Sequence, residues 1–277
     1  MSGFDEPLPP IEGVMFDVDG TLILSDRQLG QYEVLPGAVE LLADLAARGV
    51  PFLALTNGSA YPASEQAPRL RALGLSIPDE RMLTPNDVAA RIFASQGIQR
   101  VMVLGTDGVS RALSGHGIEA LPPGEGDPQA VYVGWHPQCT MDHIHAACEA
   151  VLDGAALFTA SDVPFFATRS GRAFGYSSAI CGAIERVTGV APQVTGKPSL
   201  HALAVVAERL GVEPAHIAVV GDDPRVEMEM ARAGGAIGIG VTTGTTSAAE
   251  WSAQPLASRP HRVIGGLCDF HQLRLFS

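Results

Sequence analysis

The sequence is poor in the features that mark whole classes of protein. It contains one lysine, Lys197, every other cationic side chain being arginine. Its 18 basic residues are outnumbered by 30 acidic ones, giving a formal net charge of −12. Such a field repels polyanions, so neither nucleic acid nor an anionic membrane is an expected partner. No stretch reaches the roughly 18 uninterrupted apolar residues of a membrane span. The four cysteines (Cys139, Cys148, Cys181, Cys268) lie far apart with no CxxC pair, and MSGFDEPLPPIEG has no basic-then-apolar leader pattern. A surface lead-in and free thiols in the cytoplasm are expected. Repeats are absent, and the one low-complexity run, PPGEGDP at 122–128, is a loop by composition.

What is present is an alternation of apolar runs and amphipathic segments over 277 residues, 46% of them hydrophobic. That length suits roughly two domains with real cores. Gly13 to Val18 is a buried-strand pattern ending in acids. Ala38 to Arg48 has helical spacing and stops at Gly49, and Pro51 to Thr56 is the next strand. A second series near the other end runs helix Ser199 to Leu210, strand Ile217 to Val220, helix Val226 to Ala233, then strands Ala236 to Val241 and Arg262 to Ile264. Strand–helix alternation predicts an α/β fold, a parallel sheet covered by helices on both faces, with ligands beyond the strand carboxyl ends.

Between these halves lie helix Asn86 to Ser95, strand Val101 to Leu104, helix Val109 to Gly115, strand Ala130 to Gly134, helix Met141 to Leu152 and strand Ala156 to Thr159. A hundred residues of alternating structure are not a loop. We therefore expect core residues 1–83 and 191–277 with a smaller α/β domain, 84–190, inserted between them through two hinge-like crossings.

Asp17-Val18-Asp19-Gly20-Thr21 sets two carboxylates two residues apart where a strand becomes a loop. At about 4 Å and an effective dielectric near 20 they repel by about 4 kcal/mol, which a hard divalent cation relieves. An exposed Asx turn is the plainer explanation, weakened by the buried run before it. Gly221-Asp222-Asp223 ends another strand with a second acidic pair, carboxylates being Mg²⁺ ligands. Thr56-Asn57-Gly58-Ser59 offers hydroxyl, amide and backbone donors for phosphate or, equally, a helix cap. Lys197, fixed between Gly196 and Pro198, is placed to balance phosphate charge.

These pieces, in this order, resemble the haloacid dehalogenase superfamily of phosphotransferases. The 37 positions between Asp19 and Thr56 leave no room for a cap, whereas the 140 between Asn57 and Lys197 do. LPGAVELLADLAARG, LTNGS, GAIERVTG and TGKPS are most similar to the class II-capped (type IIA) branch of nitrophenyl, phosphoglycolate and pyridoxal phosphatases. The resemblance implies a Rossmann-like core plus cap, with Asp17 as nucleophile and Asp19 as general acid and base. Mg²⁺ would be held by the side chains of Asp17 and Asp222 and the Asp19 carbonyl, with Asp223 and Glu227 supporting that site; Thr56, Asn57 and Lys197 would hold the phosphoryl oxygens. Asp19 favours phosphoryl transfer over dehalogenation. A small phosphorylated metabolite is the expected partner, and a homodimer is expected by analogy. A phosphotransferase or phosphomutase, or a phosphate-binding protein without turnover, is the alternative.

The sequence departs from that branch at Glu227, where Asp is usual, at Trp135-His136-Pro137 after the cap strand, and at Ala160-Ser161-Asp162-Val163 in place of Thr-Asn-x-Asp. Specificity is expected around Trp135, His136 and 165–172. His136, Cys139, His143 and His145 suggest zinc, but His143 and His145, two apart on a helix, point about 200° apart; a zinc site is not expected. Gly105-Thr106-Asp107-Gly108 lacks a phosphate-loop GK[ST] ending and reads as a strand-to-helix turn.

Overall fold

The computed structural model describes residues 8–26, 31–169 and 171–276; the first seven residues of the expected lead-in lie outside that set. The strands Gly13–Asp17, Phe52–Leu55, Ile217–Gly221 and Ile237–Val241 are the four inner strands of one sheet, and each is buried along its whole length. Runs of this kind, apolar on both faces, belong in the middle of a parallel sheet. The sheet has six parallel strands in the order Arg262–Ile264, Ile237–Val241, Ile217–Gly221, Gly13–Asp17, Phe52–Leu55, Met82–Leu83. Asp17 and Gly221 therefore end adjacent strands, which brings the DxDGT and GDD segments to one edge.

A second parallel sheet has five strands in the order Gln193–Val194, Ala156–Thr159, Ala130–Val133, Arg100–Leu104, Glu119–Leu121. The helix Pro85–Gln96 leads into it, begun by Pro85 with a reciprocal Thr84–Asp87 capping box and ended by Gly97. One apolar cluster is continuous between the two sheets, including Met15, Leu53 and Leu55 from the first and Val101, Val103, Tyr132 and Phe158 from the second.

The helix expected at Val226 to Ala233 is a correction. The chain makes a wide π turn over Pro224–Met228 before the α-helix Glu229–Gly234. The Asp223 side chain accepts from the Arg225 N–H at 2.8 Å and Pro224 starts the turn, so the segment is capped in a wider form than the apolar spacing suggests. Sequence patterning also passed over a four-stranded ribbon. Gly171–Phe174 pairs antiparallel with Phe165–Thr168, Ile23–Ser25 pairs antiparallel with Tyr32–Val34, and Thr168 registers with Ser25 to join the two hairpins. Among the described residues, no helix is long and apolar enough to cross a membrane.

Candidate active site

Four charged side chains meet at the carboxyl ends of the two central strands. Asp17, Lys197, Asp222 and Glu227 are each at most 5% exposed. Lys197 arrives from the turn before the helix Leu200–Leu210, which Ser199 caps, and its ammonium donates to Asp17 Oδ1 and lies 2.7 Å from Glu227 Oε1. Burial alone would lower the lysine's pKa, but Asp17 and Glu227 more than offset it, so the shift is upward. The lone lysine is thus a buried, permanently charged cation between two carboxylates.

The acids outnumber it. Burial, the Asp17 charge and Asp223 push the Asp222 carboxyl up, against hydrogen bonds from Thr245. Burial also drives Glu227 well up, against the pull of Lys197. Asp19 is raised to about 6, chiefly by burial and further by Asp17, while Ser25, Lys197 and Thr56 pull it down. Asp17 Oδ2 is buried with no hydrogen-bond partner. A buried carboxylate oxygen left in that state is costly, and a divalent cation with oxygen preference fits both the free oxygen and the excess of acids.

Close approach of the two acidic strand ends depends on glycine. Gly20 has φ +100°, and a Cβ there would sit 2.5 Å from Asp222 Oδ2. Asp222 is held by the Thr245 N–H, which donates to Oδ2 at 2.6 Å, and by the Thr245 hydroxyl, which donates to its backbone carbonyl at 3.1 Å.

Asp19 accepts from the Ser25 hydroxyl at 2.7 Å and from the Thr56 hydroxyl at 3.4 Å. Thr56 Oγ1 itself accepts from the Gly58 N–H at 2.8 Å, which closes the turn after Phe52–Leu55. The Asn57 amide is used locally: it donates to the Lys197 carbonyl at 2.9 Å and accepts from the Lys197 N–H at 2.8 Å. It clamps the lysine's backbone, and donates also to the Ser161 hydroxyl at 3.3 Å. Gly196 permits this contact, because a Cβ there would meet Asn57 Oδ1 at 2.5 Å. Glu227 Oε2 accepts from the Asp223 N–H at 3.2 Å, and the Asp223 side chain caps the π turn.

All of the sequence-derived residues Asp17, Asp19, Thr56, Asn57, Lys197, Asp222, Asp223 and Glu227 line one pocket. Its other wall is aromatic. Trp135 packs edge-on against Tyr176 at 4.8 Å and against Phe166 at 5.9 Å between ring centroids, and the Trp135 backbone N–H donates to the Ser59 hydroxyl at 2.8 Å. Sequence reasoning missed Ser25, Thr245 and Tyr176, and met Ser161 only as part of a departure from the family pattern. Their signals are weak, since each is a common residue outside a recognisable motif.

A family model described as haloacid dehalogenase-like hydrolase matches residues 14–119, and a second, HAD-hydrolase-like, matches residues 194–270. Chronophin of Mus musculus is 29% identical over 273 residues, covering 93% of this chain and 91% of its own. The solved structure of 4-nitrophenylphosphatase from Thermotoga maritima superposes with a TM-score of 0.84 at 26% identity, over 95% of this chain and 97% of that one. The glycerol phosphate phosphatase of Mycobacterium tuberculosis, solved in complex with magnesium, gives a TM-score of 0.84 at 26% identity, over 96% of this chain and 79% of that one.

Proposed function

Because this chain belongs to the haloacid dehalogenase superfamily, among its type IIA phosphatases, we propose that it hydrolyses a small-molecule phosphomonoester through an aspartyl-phosphate on Asp17. Residues 1–83 and 191–277 are then the catalytic core and 84–190 the cap, except that the cap sheet takes its edge strand, Gln193–Val194, from just past that boundary. The observation that carries this reading is the unpartnered Asp17 Oδ2 inside a buried acidic cluster holding one fixed ammonium. The two oxygens of the Asp17 carboxylate then divide the work, one bonding to phosphorus and the other facing the cation.

Asp19, raised to about 6 by burial, is protonated in part near neutral pH and gives that proton to the leaving oxygen as the P–O bond breaks. The resulting carboxylate then takes a proton from the water that attacks the aspartyl-phosphate, restoring both acids and releasing phosphate. Ser25 and Thr56 fix its orientation. Lys197 offers its charge to the phosphoryl oxygens, and Asn57 holds the lysine's backbone in register for that task as well as lining the phosphate end. The cofactor this reading calls for is Mg²⁺, which the Asp17 and Asp222 side chains and the Asp19 carbonyl would hold, supported by Asp223 and Glu227; it would supply positive charge against the charge developing on the phosphoryl group.

The leaving group faces Trp135, Phe165, Phe166 and Tyr176, and among the described residues lining the pocket Lys197 is the one cation. Such a wall favours an uncharged, largely apolar leaving group over one carrying a second carboxylate or phosphate. The free thiols of Cys139, Cys148, Cys181 and Cys268 favour the cytoplasm. The test is p-nitrophenyl phosphate hydrolysis by purified protein: turnover with Mg²⁺ that stops in EDTA is expected. Equal rates in both would overturn the metal assignment, and absence of turnover on this and a panel of phosphomonoesters would overturn the activity.

A further inference from the structure

One group of metal-binding side chains takes no part in this chemistry. His136 lies just after Trp135 on the loop leaving the strand Ala130–Val133, Cys139 lies further along that loop, and His143 is on the first turn of the helix Met141–Leu152. The Cys139 N–H donates to the His136 carbonyl at 3.1 Å, and this turn folds the loop back over the helix start. One ligand atom from each of His136, Cys139 and His143 then lies within 4.8 Å of the other two. His145 is not in the group, as its position on the helix requires. His143 and His145 diverge on the helix, whereas His136 and His143 are brought together by the loop reversal.

His136 Nε2 and His143 Nδ1 are 3.0 Å apart, with ring planes 13° from parallel. A shared proton between two imidazoles would explain that pair and leave the adjacent thiol idle. A metal ion accounts for all three: with Zn–N near 2.0 Å and Zn–S near 2.3 Å, tetrahedral ligands stand about 3.3–3.6 Å apart. The imidazole pair is close to that spacing already. Cys139 is half-buried and its thiol donates to the Thr140 carbonyl across 3.6 Å, a weak contact that a metal–sulfur bond would replace. The Thr140 N–H contact to His143 Nδ1, 3.4 Å long, is the bond given up.

We propose that His136 Nε2, Cys139 Sγ and His143 Nδ1 form a site on the cap for zinc or a similar borderline divalent cation. Two imidazoles and a thiolate select such an ion over Mg²⁺, which stays with the carboxylate oxygens of the core. Three protein ligands leave a fourth position for water or an external donor. The ion ties the loop to the helix one residue from Trp135, so its occupancy sets how firmly that indole is held against the pocket.

The test is titration of the full-length protein with Co²⁺ in excess Mg²⁺, which keeps the carboxylate site filled. One equivalent should bind with thiolate-to-cobalt charge-transfer absorption and tetrahedral d–d bands, displaced by Zn²⁺, with a change in Trp135 fluorescence. Cys139→Ser should lose the charge-transfer absorption, His143→Ala should lose tight binding, and His145→Ala should retain both. Absence of charge transfer in the wild type, its survival in Cys139→Ser, or equal loss in His145→Ala would each overturn the proposal. Circular dichroism of the metal-free variants establishes that they are folded, and Cys139→Ala replaces Cys139→Ser if the latter is not. None of these readouts depends on phosphatase turnover, so they stand or fall apart from the activity.

Discussion

The two parallel sheets are built alike and furnished in opposite ways. In the six-stranded sheet the central strands end in Asp17 and in Gly221 followed by Asp222, and the cleft beyond them gathers buried charge. In the five-stranded sheet the corresponding ends are followed by Gly134-Trp135 and Ala160-Ser161, an indole and small polar groups. The same architecture therefore supplies chemistry on one side and shape on the other. A strand end fixes where a side chain sits; what it does depends on the residue placed there.

The sharpest way to break this comparison is at Asp17. Asp17→Asn should lower kcat by roughly 10⁴-fold or more with the far-ultraviolet dichroism unchanged; near-normal turnover would remove the nucleophile from the core sheet altogether. Next in size is the pH dependence of stability without metal. Asp19 moves from 3.8 to about 6 on folding, so its ionised form is the disfavoured one in the folded chain. The associated stability is present below pH 3.8 and is lost as pH rises through about 6. A shift of that size is worth roughly 3 kcal/mol. Urea unfolding in EDTA should show this decline in the wild type and a flatter profile in Asp19→Asn, and identical profiles would refute it. The smallest effect belongs to the cap. Trp135→Ala removes edge-on contacts worth about 0.5–1.5 kcal/mol each, and should raise KM for an aryl phosphate several-fold while kcat changes less. A loss confined to kcat would assign the indole to chemistry and erase the division between the sheets.

Much of the core was legible because burial and chemistry coincide there. An apolar run that ends in Asp17 or Asp222 announces both a strand and what stands at its tip, and the single lysine is conspicuous by scarcity. The partners of these residues were not legible. Ser25 and Thr245 reach the acids from a three-residue strand and an irregular loop, where no periodicity marks them. The hairpin Phe165–Thr168 and Gly171–Phe174 has exposed aromatic ends and a short turn, giving neither clean alternation nor a continuous apolar run. Asn57 was visible as a donor next to the phosphate end, yet the backbone it clamps is 140 residues away, a pairing that only the folded chain reveals. Glu227 was visible too, while the π turn that aims it at Lys197 was hidden by helix-like spacing.

The small ribbon has a consequence for timing. Its cap hairpin meets the core at Ser25, through the Thr168 register and the Arg169 N–H donating to the Ser25 carbonyl at 3.0 Å, and the Ser25 hydroxyl holds Asp19. On the proposed mechanism, a swing of the cap that parted this seam would act on the same residue that orients the proton donor. Admission of a substrate and readiness of the acid would then be geared through a single serine.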